Sequence, residues 1–183
     1  MNVTRAELPG ILIIEPDVFS DARGSFFELW RAERFAEAGL DLTFVQDNIS
    51  RSVRGTVRGM HFQHPEPQGK LVTVLHGEVF DVVADVRAGS PTFGKWWGTC
   101  LAASRPRQLY VPPGFAHGFQ ALSDEALFAY KCTAPFRREY DRAVRWDDPD
   151  LAIAWPLAVE HISDRDRHAS RLSELLSECL PAY

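Results

Sequence analysis

KLVTVLHGEVFDVVADVR, residues 70–87, decides the fold class. Two β-branched runs flank His76-Gly77, and runs of this kind around a glycine-containing pair read as two strands joined by a hairpin. Working outward, LIIE (12–15), SFFELW (25–30), TFVQDNIS (43–50) and TVRGMHFQ (56–63) read as further short strands. So do KWWGTCLA (95–102), RQLYVP (107–112), HGFQAL (117–122) and ALFAYKCT (126–133). Turn residues gather between them at DARG, GSPTFG, PPG, LSDE and DDPD. Short strands separated by Gly/Pro/Asp turns at intervals of roughly eight to twelve residues indicate an all-β sandwich or barrel.

Helical signals are confined to two places. RAERFAEAG (31–39) carries Phe35 and Ala38 on one face and ends on Gly39, a C-terminal stop. SRLSELLSECL (170–180) puts Leu172, Leu175, Leu176, Cys179 and Leu180 on one face, so an amphipathic helix is expected in a tail of about 168–183. With no linker or repeat, residues 1–183 read as a single domain.

The composition excludes several classes of function. A net charge of −5 argues against a dominant nucleic-acid surface. No apolar run approaches the length of a membrane span, and MNVTRAELPG does not read as a signal peptide. Cys100, Cys132 and Cys179 are odd in number and widely spaced, which suits free, buried thiols in a reducing cytoplasm.

Among possible chemical residues, His61 stands out by its company. Arg58 precedes it in VRGMHFQ, and Lys70 opens the next strand. Two nearby cations would favour a neutral imidazole, which suits a base. In an unbroken strand Arg58 and His61 would face opposite sides, unless Gly59 introduces a bulge. The segment Pro112-x-Gly114-x-x-His117 resembles the second motif of cupins, double-stranded β-barrels in which that histidine often binds metal. The first cupin motif is incomplete, since His61-Phe62-Gln63 lacks its second histidine and His64 would point to the other face. PPG also reads as an ordinary tight turn. Asp147-Asp148-Pro149-Asp150 reads as a turn before an edge strand, and Asp164 and Asp166 as acids favouring the start of the last helix. Either of the latter two could instead orient a histidine. The many aromatics from Trp96 to Trp146 read mostly as core.

Taken together, these segments resemble the dTDP-4-dehydrorhamnose 3,5-epimerase family. The matching stretches include PDVFSDARGSFFELW (16–30), TFVQDNISRS (43–52), VRGMHFQ (57–63), QGKLVTVLHGEVFDVVADVRAGSPTFGKW (68–96), RQLYVPPGFAHGFQALSD (107–124), AYKCT (129–133) and RWDDPDLAIAWP (145–156). The resemblance implies a mainly β, double-stranded β-helix (cupin or jelly-roll) barrel that uses no metal or cofactor. It also implies a homodimer formed partly by strand exchange. The implied reaction is epimerisation of a nucleotide-linked 4-keto-6-deoxy sugar, with proton removal and return beside the C4 ketone. His61 would be the base, Asp166 its partner, and Lys70 the cation facing the C4 oxygen. Gln46, Asn48, Arg58 and His117 match substrate-pocket residues. Arg23, Phe26 and Glu28 match residues contributed to the nucleotide across the dimer interface.

The family also implies a tyrosine acid shortly after the YKxT stretch. Ungapped alignment puts Pro135 there with Phe136 beside it, and neither can donate a proton. Tyr130 and Tyr140 are the candidate replacements, or an ordered water. This departure leaves a mono-epimerase acting at C3 or C5 as an alternative to the double epimerase. From other classes, a metal-dependent cupin using His61, His64 and His117, or a silent sugar-nucleotide-binding module, compete with it.

Overall fold

A computed structural model describes residues 1–183. Thirteen strands follow in chain order: β1 (Asn2–Arg5), β2 (Leu12–Glu15), β3 (Phe19–Asp21), β4 (Gly24–Phe26), β5 (Gln46–Val53), β6 (Val57–Gln63) and β7 (Lys70–His76), then β8 (Glu78–Asp85), β9 (Trp96–Ala102), β10 (Gln108–Val111), β11 (Phe115–Ala121), β12 (Glu125–Cys132) and β13 (Asp141–Ala143). Two short helices, α1 (Ala32–Glu37) and α2 (Asp164–Arg167), complete the set, with single 3-10 turns elsewhere. One sheet runs β1-β2-β10-β7-β12-β5 and the other β13-β6-β11-β8-β9, while β3 and β4 form a separate ribbon. The two larger sheets face each other as a double-stranded β-helix barrel, the expected class.

The opening stretch forms two strands, but not a hairpin. β7 is already paired on both edges, with β10 and β12, and β8 with β11 and β9. Neither keeps a free edge for the other, so the chain crosses between sheets at His76-Gly77. Gly77 adopts φ +75°, and a Cβ there would lie 2.1 Å from the Glu125 carbonyl oxygen. Glycine is therefore required by both conformation and close approach. The same dipeptide that signals a tight hairpin serves here as a corner between layers.

Strand parity then sorts the side chains. Val72 and Val74 of β7, Val79 and Val83 of β8, Phe115 and Phe119 of β11 and Phe128 of β12 form one buried cluster between the sheets. By the two-residue period of a strand, Lys70, Asp81, His117 and Tyr130 share those inward faces. The barrel is thus apolar through much of its interior and polar at one end. Met60, Phe62, Val82 and Ala84 face the other way and are covered by Leu151, Leu172 and Leu180. A third cluster packs Phe35 of α1 and Leu40 against Ile14, Leu71 and Tyr110.

Several local expectations need correction. The tail forms no amphipathic helix, only 3-10 turns at Leu172–Glu174 and Ser177–Cys179. Ser170 bridges Val144 and Ala182 bridges Ala88, so tertiary pairing holds the segment extended at both ends. Leu172 and Leu180 then fill the covering layer while Leu176 stays exposed. Serines are weak helix formers, and helices shorter than roughly 12–15 residues are marginal without packing support. In SFFELW only the first residues belong to a strand, β4, because Leu29 and Trp30 turn away toward α1. No edge strand follows Asp147–Asp150. Instead buried Asp148 accepts hydrogen bonds from the Asp150, Leu151 and Leu172 amides, tying the turn to the tail. Cys132 is buried, whereas Cys100 is exposed because β9 ends its sheet.

Candidate active site

Gly59 supplies the bulge that the sequence left open. Along β11, His117 pairs with His61 but Phe119 pairs with Arg58, so Gly59 and Met60 of β6 together oppose Gly118 of β11. Gly59 has φ +133°, and a Cβ on it would lie 2.5 Å from Gly118 Cα. This shift brings Arg58 and His61 to the same cavity. The cavity measures about 680 Å³ and joins a second lobe of about 290 Å³. His61, Lys70, Tyr130 and Arg165 line both lobes. Together they offer room for a ligand of nucleotide-sugar size.

His61 Nε2 lies 2.6 Å from Asp166 Oδ1. Asp166 is buried and sits in α2, whose N-cap Ser163 accepts the Asp166 amide. The Gly59 amide also donates to Asp166 Oδ2, at 3.4 Å. Burial pushes the Asp166 carboxyl up, but the His61 hydrogen bond and charge, with the Gly59 and Ser163 contacts, outweigh it. The net shift is downward, so Asp166 stays ionised and able to stabilise an imidazolium.

Lys70 Nζ donates to the His61 carbonyl oxygen at 3.4 Å. Burial lowers its pKa, opposed by the Cys132, Asp141 and Asp81 groups. Tyr130 lies on the inward face of β12, where burial raises its phenol above the usual value. It therefore keeps its proton. Arg58 Nε donates to Ser52 Oγ at 2.9 Å and Nη2 to the Arg51 carbonyl oxygen at 3.1 Å. Gln46 and Asn48 stand two apart on β5 and face the second lobe, joined by a 2.9 Å hydrogen bond.

Other expected residues lie elsewhere. Arg23 and Phe26 sit on the exposed β3–β4 ribbon and line a separate hollow. Glu28 pairs with Arg31 and Arg34. Tyr140 lines neither lobe; its backbone oxygen accepts the His64 amide in the 3-10 turn. The 134–141 loop thus does not fold that phenol into the cavity. The Pro135 carbonyl accepts from Gln63 Nε2, and Phe136 lines the second lobe. Pro135 leaves the site with a phenol after all, because Tyr130 already faces it. His117 bonds Asp81, at 2.9 and 3.0 Å, and no three His, Cys, Asp or Glu side chains gather as a metal would require.

Some pocket residues were not expected. Arg165, beside Asp166, bridges to Asp141 at 2.7 Å and lines both lobes. No periodic signal marks it, since it depends on how α2 docks. Asp81 was legible in principle: an acid inside the apolar run EVFDVVAD, in phase with Val79 and Val83, must be buried and partnered.

Comparison with known proteins agrees with this geometry. The family model for dTDP-4-dehydrorhamnose 3,5-epimerase matches residues 5–174. A dTDP-4-dehydrorhamnose 3,5-epimerase from Methanothermobacter thermautotrophicus is 50% identical over 173 residues, covering 93% of this chain and 94% of that protein. Its counterpart from Pseudomonas aeruginosa is 47% identical, covering 99% and 100%. The crystal structure of a dTDP-6-deoxy-D-glucose-3,5-epimerase from Legionella pneumophila, in complex with dTDP-4-keto-L-rhamnose, superposes with a TM-score of 0.96. That match has 47% identity and covers 100% of this chain and 98% of the other. The chain belongs to the dTDP-4-dehydrorhamnose 3,5-epimerase family.

Proposed function

We propose that this chain, acting as one epimerase domain over residues 1–183, inverts C3 and C5 of dTDP-4-keto-6-deoxyglucose without metal or cofactor. The observation that carries the reading is the convergence of the His61–Asp166 pair, Lys70 and Tyr130 on one cavity. The C4 ketone acidifies the neighbouring C–H bonds by delocalising charge onto its oxygen. His61 removes that proton, and ionised Asp166 holds the ring and stabilises the imidazolium. Lys70 faces the C4 oxygen and stabilises the enolate. Tyr130, protonated by virtue of its burial, returns a proton on the opposite face. Exchange with solvent then takes the proton from His61 and returns one to Tyr130, and two such rounds, at C3 and C5, complete the reaction.

Gln46, Asn48, Arg58 and His117 hold the substrate, and an arginine fork suits its diphosphate. The 3,5-epimerase names of the most similar relatives favour double inversion over a single one. Arg23, Phe26 and Glu28 reach the partner's nucleotide in a homodimer. Support comes from the exposed apolar side chains Phe19, Phe26 and Ile49 on the ribbon and on the outer face of β5. No helix is long and apolar enough to cross a membrane. Free thiols suit a reducing cytoplasm.

Incubation with dTDP-4-keto-6-deoxyglucose in deuterated water tests the function. Deuterium should enter at both C3 and C5, with inversion at each. Absence of exchange at both carbons would reject the assignment for this substrate, and exchange at one alone would establish a mono-epimerase.

A further inference from the structure

The barrel holds a second histidine–aspartate pair, whose aspartate the reaction as derived leaves without a task. Asp81 of β8 is fully buried, and both of its carboxylate oxygens lie within 3.0 Å of His117 Nε2. His117 is the direct cross-strand partner of His61, and its ring lies beside Phe128, with centroids 6.0 Å apart. Phe128 in turn stacks on Phe119. Stacked apolar rings thus flank the pair on one side, and His117 is the only side chain hydrogen-bonded to the Asp81 carboxylate. A buried carboxylate with so few partners is costly. Hydrophobic residues of similar volume would serve the core better, so its retention directly behind His117, which lines the cavity, calls for a role.

We propose that Asp81 is a positioning residue for the epimerisation: it holds the His117 ring against the cavity and acts as counter-charge for the Lys70 ammonium. The groups facing Lys70 explain why one is needed. His61 of β6 and His117 of β11 carry no negative charge, and the Arg165 guanidinium of α2 lines both lobes. Against these stand Asp141 of β13, already engaged by Arg165, and the Cys132 thiol and Tyr130 phenol of β12, whose pKa values burial pushes upward. Asp81 is the acid that Lys70 senses without an arginine already claiming it. Burial raises the Asp81 pKa, and the His117 and Lys70 charges oppose that rise, as expected of mutual support. A charge buried as completely as Asp81 acts more strongly on its neighbours than it would in solvent.

This inference rests on the epimerase reading, and one experiment separates the two. Rates of deuterium exchange and of product formation are measured against pH for the wild-type chain and Asp81→Asn. Loss of the Asp81 charge should let Lys70 deprotonate at lower pH. The alkaline limb of the kcat profile should then move acidward by about one unit or more, and kcat should fall at least about tenfold. A merely structural role would lower the melting temperature and leave the limb in place. A wild-type limb and kcat in folded Asp81→Asn overturn the proposal, while the wild-type exchange stands.

Should Asp81→Asn fail to fold, Asp81→Glu is read in the same way. It keeps the charge but displaces the ring, so a lowered kcat with the limb unmoved supports the proposal, and a wild-type kcat or a displaced limb refutes it. No exchange by the wild-type chain rejects the epimerase reading and this inference with it.

Discussion

At the residue scale the proposed reaction assigns proton removal to His61 with Asp166 and proton return to Tyr130, so their variants should fail differently. His61→Ala should lose solvent exchange by about 100-fold or more with little change in melting temperature, since removal of a general base commonly costs on that order. Retained exchange would exclude His61 as the base. Tyr130→Phe keeps the ring and loses the proton. It should still exchange deuterium on the His61 face but form little inverted product, as proton NMR of the sugar would report. Inversion at the wild-type rate would transfer the acid's role elsewhere. Much of this constellation was legible beforehand, because His61 and Lys70 lie in family-like stretches and the resemblance names Asp166 as the partner of His61. The acid was harder to place. Position along the loop pointed to Pro135, whereas the phenol that faces the cavity is set by parity on β12, which becomes readable only once the strand register is known. Asp81 and Arg165 were missed because burial and docking, not motif, bring them to the site.

At the scale of elements, the strands followed from local pattern and their partners did not. β2 and the runs of β7 and β8 match expectation closely, because alternating or continuous apolar runs report burial directly. The hairpin failed because pairing depends on which edges other strands have already taken, and a dipeptide carries no such information. The tail failed for a related reason: its leucine spacing fits a helix, yet Leu172 is held in place by Asp148 and by extended pairing at both ends. This tertiary override can be measured. Leu172→Ala should destabilise the fold by about 2–5 kcal/mol, the usual range for emptying a buried leucine site. Asp148→Ala, which leaves three backbone amides without an acceptor, should cost on the order of 2–4 kcal/mol. Denaturant unfolding would check both. If the tail were an independent surface helix, the Asp148 change would be nearly neutral.

At the scale of the whole molecule, buried acids govern the response to pH. Asp85 is pushed up by burial, but the Arg87, Ser90 and Thr92 hydrogen bonds prevail and lower its pKa; Asp166 is likewise lowered on balance. Each contributes stability that is fully present above the ordinary aspartate value of 3.8 and is lost as pH falls through the lower folded value. Asp81 acts in the opposite sense, since its raised pKa makes the ionised form a burden that protonation relieves. The melting temperature should therefore fall below about pH 4, less steeply in Asp85→Asn than in the wild type. Identical slopes would remove Asp85 from the account.

The same scale decides whether the site is complete in one chain. Arg23 is almost wholly exposed on the β3–β4 ribbon, paired only with Asp21, and belongs to a hollow separate from the His61 cavity. If the ribbon serves a partner's nucleotide, Arg23→Ala and His61→Ala each impair a dimer for different reasons. A mixed dimer then holds one site with neither defect, formed by His61 of one protomer and Arg23 of the other. Co-refolding equal amounts of the two variants makes about half the dimers mixed, each with one of two sites intact, so activity should recover to about a quarter of the wild-type value. Recovery absent while size measurement shows mixed dimers would mean that Arg23 serves its own chain or none. A monomer in solution would remove the shared site altogether, and the exposed apolar side chains of the ribbon and β5 would then need another partner.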